Sequence, residues 1–462
     1  MTEVRGRREE LIPSAARLLN TMRDLGYEFT NAVADIVDNS ISADASLVEV
    51  TIEADGPDSW VRIADNGAGM PAAVISEAMR LGSGGRDYRV DELGKFGLGL
   101  KTASLSQARL ITVASRSNPT RRIIDVRVLD LDDVLRTDRW EIVHPAPEDR
   151  PAAVVAPLQD GPGTVVLWGR LDRILNVTDP YGTRAESVLG KYAERLDQHL
   201  GMVFERFLSG TAERCRTTPL TITVNGRRVE PWDPFCLKER TEYLPEHTLR
   251  VAGRHVRYRP YVVPPQREFS SDDAWKRASG PNQWNRQQGL YIYRADRLIQ
   301  SGGWSWLRGT EEHVKLARAA LEFWPALDEQ FEINISKMRV KIPEELGTSS
   351  RAWSPCCPGR HRSGTGSPPA TPSRRPRRRG PPPGRPPGRP PGRPPVRTRP
   401  RTGGPGPPPG HRSPGRTGPG RVPPLRGLPR HRSGRRGSRP PSSRQPRSQA
   451  SRTRSTRSGA TC

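Results

Sequence analysis

Apolar residues along this chain recur in two alternating periods, one helical and one of strand type. In "SAARLLNTMRDLG" (14–26), Leu18, Leu19, Met22 and Leu25 repeat at helical spacing, with Ser14 placed as a cap and Gly26 as a stop. "TNAVADIVDNSISADA" (30–45) predicts a second helix with Val33, Ile36 and Val37 as its apolar stripe. In "LVEVTIEA", Val48, Val50 and Ile52 alternate with Glu49, Thr51 and Glu53, which predicts a strand with one wet face. "SWVRIADNGAGM" (59–70) reads as a strand running into a glycine turn, and "AVISEAMRLG" (73–82) as a helix. "SGGRDYRVDE" (83–92) carries no core pattern and reads as a mobile loop. Strands are predicted in "ARLITVAS" (108–115), "RRIIDVRVL" (121–129), "WEIVH" (140–144) and "GTVVLW" (163–168).

The pattern restarts near residue 176. A long helix is predicted over 185–209, a hairpin over 220–231 turning at Asn225-Gly226, and strands in "GLYIYRADRLIQ" (289–300) and "QFEINISKMRV" (330–340). Mixed helices and strands with hairpin-length connections predict an α+β fold with an antiparallel-leaning mixed sheet, rather than a doubly wound one. The expected organisation is one domain over 1–175, a second α/β domain over 176–346, and a tail over 347–462.

Composition changes the picture in the tail. The whole chain has 462 residues and a formal net charge of +25, which by itself suggests nucleic-acid binding. Residues 347–462 hold 28 of the 75 basic residues and none of the 50 acidic ones, so residues 1–346 carry 47 against 50, a net of −3. The same tail holds 28 of the 48 prolines and lacks Phe, Tyr, Ile, Met, Asn and Lys. Such a segment cannot offset its ordering entropy by apolar burial, and disorder is expected. Two origins fit it: a basic arm for acidic partners, or a frame slip in a GC-rich gene, which removes the residue types with AT-rich codons. We favour the second. Cys215 and Cys236 are the only cysteines before the tail, too few for a disulfide framework or a zinc site. No apolar stretch is long enough to span a membrane, and "MTEVRGRREELIP" has no signal core, so a soluble, cytoplasmic protein is expected.

Three short motifs carry candidate chemistry. Asp35, Asp38 and Asn39 lie on the second predicted helix, with Asp35 and Asn39 one turn apart. A carboxylate and a carboxamide there suit a hard cation and a water to be activated, although a solvated polar face has the same look. "DNGAGM" (65–70) follows a strand. Asp65 can accept from an amino group, and Gly67 and Gly69 permit close backbone approach, although a surface turn shares this sequence. "GKFGLGLKTAS" (94–104) places Gly94, Gly97 and Gly99 before a helix start, with Lys95 and Lys101 adding charge. Leu100 intervenes where a P-loop requires lysine, so the motif reads as an anion site made of helix-end amides.

In this order and spacing, "ADIVDNSISA", "DNGAGM" and "GKFGLGLKTAS", followed by "GTVVLWGRL", resemble the GHKL ATPases with the Bergerat ATP-binding fold. MORC-like and MutL-like proteins look nearest, with the DNA gyrase B subunit and the heat-shock chaperone ATPases further off. The resemblance covers about residues 10–175 strongly and extends more weakly to 346. It implies a helix-covered mixed sheet followed by a transducer-like domain. It further implies ATP and Mg2+ as cofactors, with Asn39 on the metal and Asp65 on the adenine amino group, helped through water by Thr164. Gly67, Gly69 and Met70 would line the adenine pocket. Gly94, Lys95, Phe96, Gly97, Leu98, Gly99, Lys101 and Thr102 would face the phosphates, and the loop from about Ser83 to Gly99 would form a lid. Lys337, or failing it Lys341, would reach the γ-phosphate from the second domain. Asp35 stands where most relatives carry the glutamate taken as general base. It is one methylene shorter, ~1.5 Å, which implies slow hydrolysis.

The function implied is a slow Mg-ATPase whose lid closure drives N-terminal homodimerisation, in DNA transactions or defence. A chaperone-like or regulatory ATP switch with a protein client is the alternative. A histidine-kinase role is weakened because no His precedes Asp35.

Overall fold

In the computed structural model, residues 13–24, 27–81, 99–120, 122–213, 219–333 and 340–347 are described. All of them fall in the unit Met1–Ser367. The expected lid and its residues Gly94, Lys95, Phe96, Gly97 and Leu98 lie outside the described residues, as do Lys337, Cys215 and the tail beyond Gly347.

Among the described residues the first sheet has seven strands in the order β4-β3-β5-β2-β1-β6-β7. These are β1 (Leu47–Glu53), β2 (Trp60–Asp65), β3 (Leu110–Arg116), β4 (Asp125–Asp130), β5 (Gly163–Gly169), β6 (Thr221–Val224) and β7 (Arg227–Arg228). Only β1 and β6 pair in parallel; all the other neighbours are antiparallel. The α+β expectation and its antiparallel bias therefore agree with the structure. The sheet also reaches past residue 176 for β6 and β7, so its edge is built from residues beyond the expected boundary of the first domain. The β6–β7 turn at Asn225-Gly226 takes positive φ at both residues, +48° and +77°, as a two-residue hairpin requires.

Strand alternation sends one side of this sheet against the helices. Val48, Val50, Ile52, Val61, Ile63, Ile111, Val113, Val166 and Trp168 share one buried cluster with α1 (Ala15–Arg23), α2 (Phe29–Ser42), α3 (Ala72–Met79) and α4 (Gly99–Gln107). The opposite side holds a smaller cluster of Ala64, Ala114, Val126 and Val165 under Val154 and Leu158. After β4 come α5 (Leu131–Thr137) and the short α6 (Ala152–Val155). The predicted strand "WEIVH" is not one: Val143 makes a single bridge to Val128, and prolines at 145 and 147 end further pairing.

The long helix predicted over 185–209 is two helices, α7 (Thr183–Val203) and α8 (Glu205–Ser209). Buried Phe204 leaves helical geometry between them (φ −108°, ψ 21°). The second sheet follows β8 (Glu242–Tyr243), β9 (His247–Val251), β10 (Arg254–Val262), α9 (Asp272–Ala278), α10 (Gln283–Gln287), β11 (Gly289–Arg294), β12 (Arg297–Ser301) and β13 (Ala317–Phe323), with α11 (Glu344–Gly347) last. Its order is β12-β11-β13-β10-β8, with β9 on β10. "GLYIYRADRLIQ" is thus a hairpin rather than one strand. Its turn residues Ala295 and Asp296 adopt positive φ, +46° and +67°, without the Asn-Gly or Asp-Gly pair that marks such turns.

Candidate functional site

The site grows from strand parity. Val61 and Ile63 of β2 face the helices, and Asp65, two residues on, points the same way. Val166 and Trp168 set the same phase in β5 and bring in Thr164; Ile111 and Val113 set it in β3 and bring in Ser115. Register aligns the three: Asp65 opposes Thr164, which opposes Ser115. A polar row thus closes the helix-facing end of β2, β5 and β3.

Asp65 sits among uncharged donors. Its Oδ1 accepts from the Gly67 amide at 2.9 Å and the Thr164 amide at 3.2 Å, and its Oδ2 accepts from Ser40 Oγ of α2 at 2.9 Å. Burial pushes its carboxyl above the usual range, and the three donors pull against that. Ser115 Oγ donates to Gly163 O at 2.7 Å, lies 3.0 Å from Thr164 Oγ1, and accepts from the Met70 amide at 2.7 Å. "DNGAGM" is therefore a pinned loop rather than a surface turn. The Ala68 amide bonds Ala43 O, and Asn66 Oδ1 accepts from the amides of Ser46 and Leu47. Gly69 adopts φ +68°, and a Cβ there would collide with the Arg116 carbonyl.

On α2 the expected shared face divides. Asp35 is 2% and Asp38 0% exposed, whereas Asn39 is exposed. Asp35 Oδ2 accepts from Tyr27 Oη at 3.0 Å, and its Oδ1 lies 3.3 Å from Arg297 Nη2 of β12. Arg297 Nε lies 2.9 Å from Asp38 Oδ1, a contact not aligned as a hydrogen bond. The turn of the second sheet thus reaches both carboxylates of the first motif. His199 of α7 feels the charge of Arg297, and its pKa is pushed down to about 4 by burial first and by Arg297 second.

Gly99 is the first described residue of α4, and a Cβ there would meet nothing within 4 Å among the described residues. Thr102, one turn in, is buried. Lys101 is buried too, and its ammonium donates to the Arg80 carbonyl at the end of α3. Burial lowers its pKa, and Glu77 opposes this. The cation expected at the phosphates is therefore directed at a helix C-terminus in this arrangement.

Exposed Asn39, the open start of α4 and the Asp65 row suit a nucleotide with its base at Asp65 and its phosphates at Gly99. The described residues hold no cluster of three or more His, Cys, Asp or Glu. Exposed Asn39, through its carboxamide oxygen, would be the protein's ligand to a magnesium ion here.

The motifs do not mark Ser115, Tyr27 or Arg297, and Ser40, though inside the first motif, was not singled out. Ser115 was accessible through strand phase, since it continues the Ile111–Val113 side. Arg297 offered only a polar "RADR" interrupting an apolar run. Among the described residues no helix is long and apolar enough to cross a membrane. No curated protein matches the sequence. Residues 27–160 match the family model described as "Histidine kinase-, DNA gyrase B-, and HSP90-like ATPase". That span opens at Tyr27, contains α2 and Asp65, and stops before Thr164. The match supports a GHKL-type ATPase domain in this part of the chain, and with it ATP binding.

Proposed function

We propose that the protein binds ATP with Mg2+ and hydrolyses it slowly, using the nucleotide to change its conformation. The observation that carries this is the row Asp65–Thr164–Ser115, beside exposed Asn39 and the open start of α4. Asp65 supplies a carboxylate whose orientation is fixed by Gly67, Thr164 and Ser40, suited to an adenine amino group. Magnesium, held through Asn39, would offset charge on the phosphates. The amides opening α4 would add to that without a charged side chain. Asp35 is the assigned general base, and Lys337 the assigned contact from the second half of the chain to the γ-phosphate. Closure of the segment 83–98 and homodimerisation through the N-terminal region complete the reading.

DNA is the partner we assign. Arg250 and His255 oppose each other across β9–β10 and are both exposed, as is Arg254, which suits a phosphate backbone. The deciding experiment is ATP binding by calorimetry, with Mg2+ and with a chelator. Wild type is expected to bind saturably, and Asp65→Asn about 10- to 100-fold more weakly while remaining folded. Equal affinity in the two proteins would sink the site assignment. An ATPase rate and a salt-sensitive binding isotherm both unmoved by duplex DNA would remove the DNA assignment.

A further inference from the structure

The β11–β12 turn, Arg294-Ala295-Asp296-Arg297, sends three side chains into three different elements. Buried Arg294 grips Asp328 with two hydrogen bonds, Nε to Oδ1 at 2.7 Å and Nη2 to Oδ2 at 2.8 Å. Asp296 accepts from Arg206 of α8 at 3.1 Å and from the Glu213 amide at 2.9 Å. Arg297 reaches Asp35 and Asp38 of α2. The backbone between them is held at positive φ on Ala295, a conformation an alanine adopts only under constraint. The turn is therefore fixed from two sides, and its third contact falls on the carboxylate assigned as general base.

That carboxylate has no access to water in this arrangement. Asp35 is 2% exposed, one oxygen lies against Arg297 and the other takes the Tyr27 hydroxyl. A base must reach the proton that it removes, by heavy-atom contact or through one water. Neither oxygen is offered to a water here. His199 and the Phe204 ring flank the guanidinium from α7 and its C-terminal junction. No aqueous path to Asp35 opens from the Arg297 side, where the Arg297 side chain is 3% exposed.

We propose that Arg297 is an inhibitory latch: it holds Asp35 away from water, and Asp35 becomes available only when the β11–β12 turn withdraws from α2. The second sheet then governs hydrolysis through one guanidinium. This rests on the ATPase reading above.

The test uses the full chain and three variants: Arg297→Gln, Arg297→Lys and Tyr27→Phe. Steady-state kcat and KM for MgATP are measured, with ATP affinity by calorimetry and amide hydrogen exchange of the nucleotide-free protein. Arg297→Gln is expected to raise kcat about tenfold, with KM within about twofold, because release changes the base and not the binding surface. Exchange should quicken in α2 and in 294–297, a readout independent of turnover. Arg297→Lys should stay near wild type in kcat and exchange, since it keeps the cation. Tyr27→Phe, which takes the Tyr27 hydroxyl away from the other oxygen, should raise kcat about twofold. Retained ATP binding with kcat unchanged or lowered in Arg297→Gln overturns the latch. Should that variant fail to fold, the same result in Tyr27→Phe overturns it. A wild-type protein that binds no ATP overturns the ATPase reading and the latch together.

Discussion

Two buried polar regions of this molecule are held by opposite means. Around Asp65, one carboxylate is surrounded by neutral donors: two backbone amides and a serine hydroxyl. Around the β11–β12 turn, charge is met by charge, with Arg294 on Asp328, Arg206 on Asp296 and Glu322, and Arg297 on Asp35 and Asp38. The first arrangement leaves the carboxylate oriented and still able to accept from a ligand. In the second, charged groups pair with one another, and Arg297 carries that pairing from the second sheet to α2. On the proposed reading recognition and coupling are separated, with the neutral cradle receiving the ligand and the ionic joint transmitting.

The largest effect should come from breaking the joint. Arg294→Ala leaves Asp328 buried without its guanidinium and should cost about 3–5 kcal/mol in denaturant unfolding. Replacing both partners by apolar residues, Arg294→Met with Asp328→Leu, should recover most of that loss. A single variant that unfolds like wild type would show that the joint is not held by charge.

Next comes pH. Burial raises Glu205 from about 4.5 to about 7, opposed by Arg206 and by the Tyr293 hydroxyl that it accepts at 2.9 Å. A raised folded pKa contributes stability that is complete below the unfolded value and lost as pH rises through the folded one. Glu205 should therefore cost stability between pH 4.5 and 7, on the order of 3 kcal/mol at most. His199 has the opposite sign. Its folded value of about 4 lies below 6.5, so its contribution is complete above 6.5 and lost as pH falls through 4. The two offset each other between pH 4.5 and 6.5. Glu205→Gln should remove the falling limb and leave stability rising with pH across that window. An unchanged pH–stability curve would refute the assignment.

Smaller effects sharpen the neutral side. Ser115→Ala removes the hydroxyl that joins Gly163, Thr164 and Met70, and should cost about 1–2 kcal/mol. A near-zero cost would mean that water replaces it. Arg136→Ala breaks an exposed pair with Asp133 and should stay within about 0.5 kcal/mol. It serves as the surface reference against which both buried regions are read.

The neutral cradle was largely legible in the sequence. Asp65 and Thr164 share a row because strand phase has period two, and phase is visible in the alternation of Val61, Ile63 and Val166, while Gly67 and Gly69 stand in the motif that follows β2. Ser115 belonged to the same row and could have been read from it. The ionic joint was not legible. "RADR" lies inside "GLYIYRADRLIQ", where the apolar pattern predicts continuous strand, and neither turn residue is glycine or asparagine. Nothing local announces that Ala295 takes positive φ. The long helix over 185–209 fails in the same way, because Phe204 leaves helical geometry although no glycine or proline stands at that position.

By itself, the sequence determined the α+β pattern, the strand phases and the spacing of the three candidate motifs, because these depend on spacings of a few residues. Only the tertiary structure decided that Asp35 and Asp38 are buried, that Lys101 turns to Arg80, and that Arg297 comes to α2 from 262 positions away. Such contacts join residues whose separation in the chain carries no periodic signal. They follow from how two sheets dock, and a charge finds its partner only when the surfaces between them have closed.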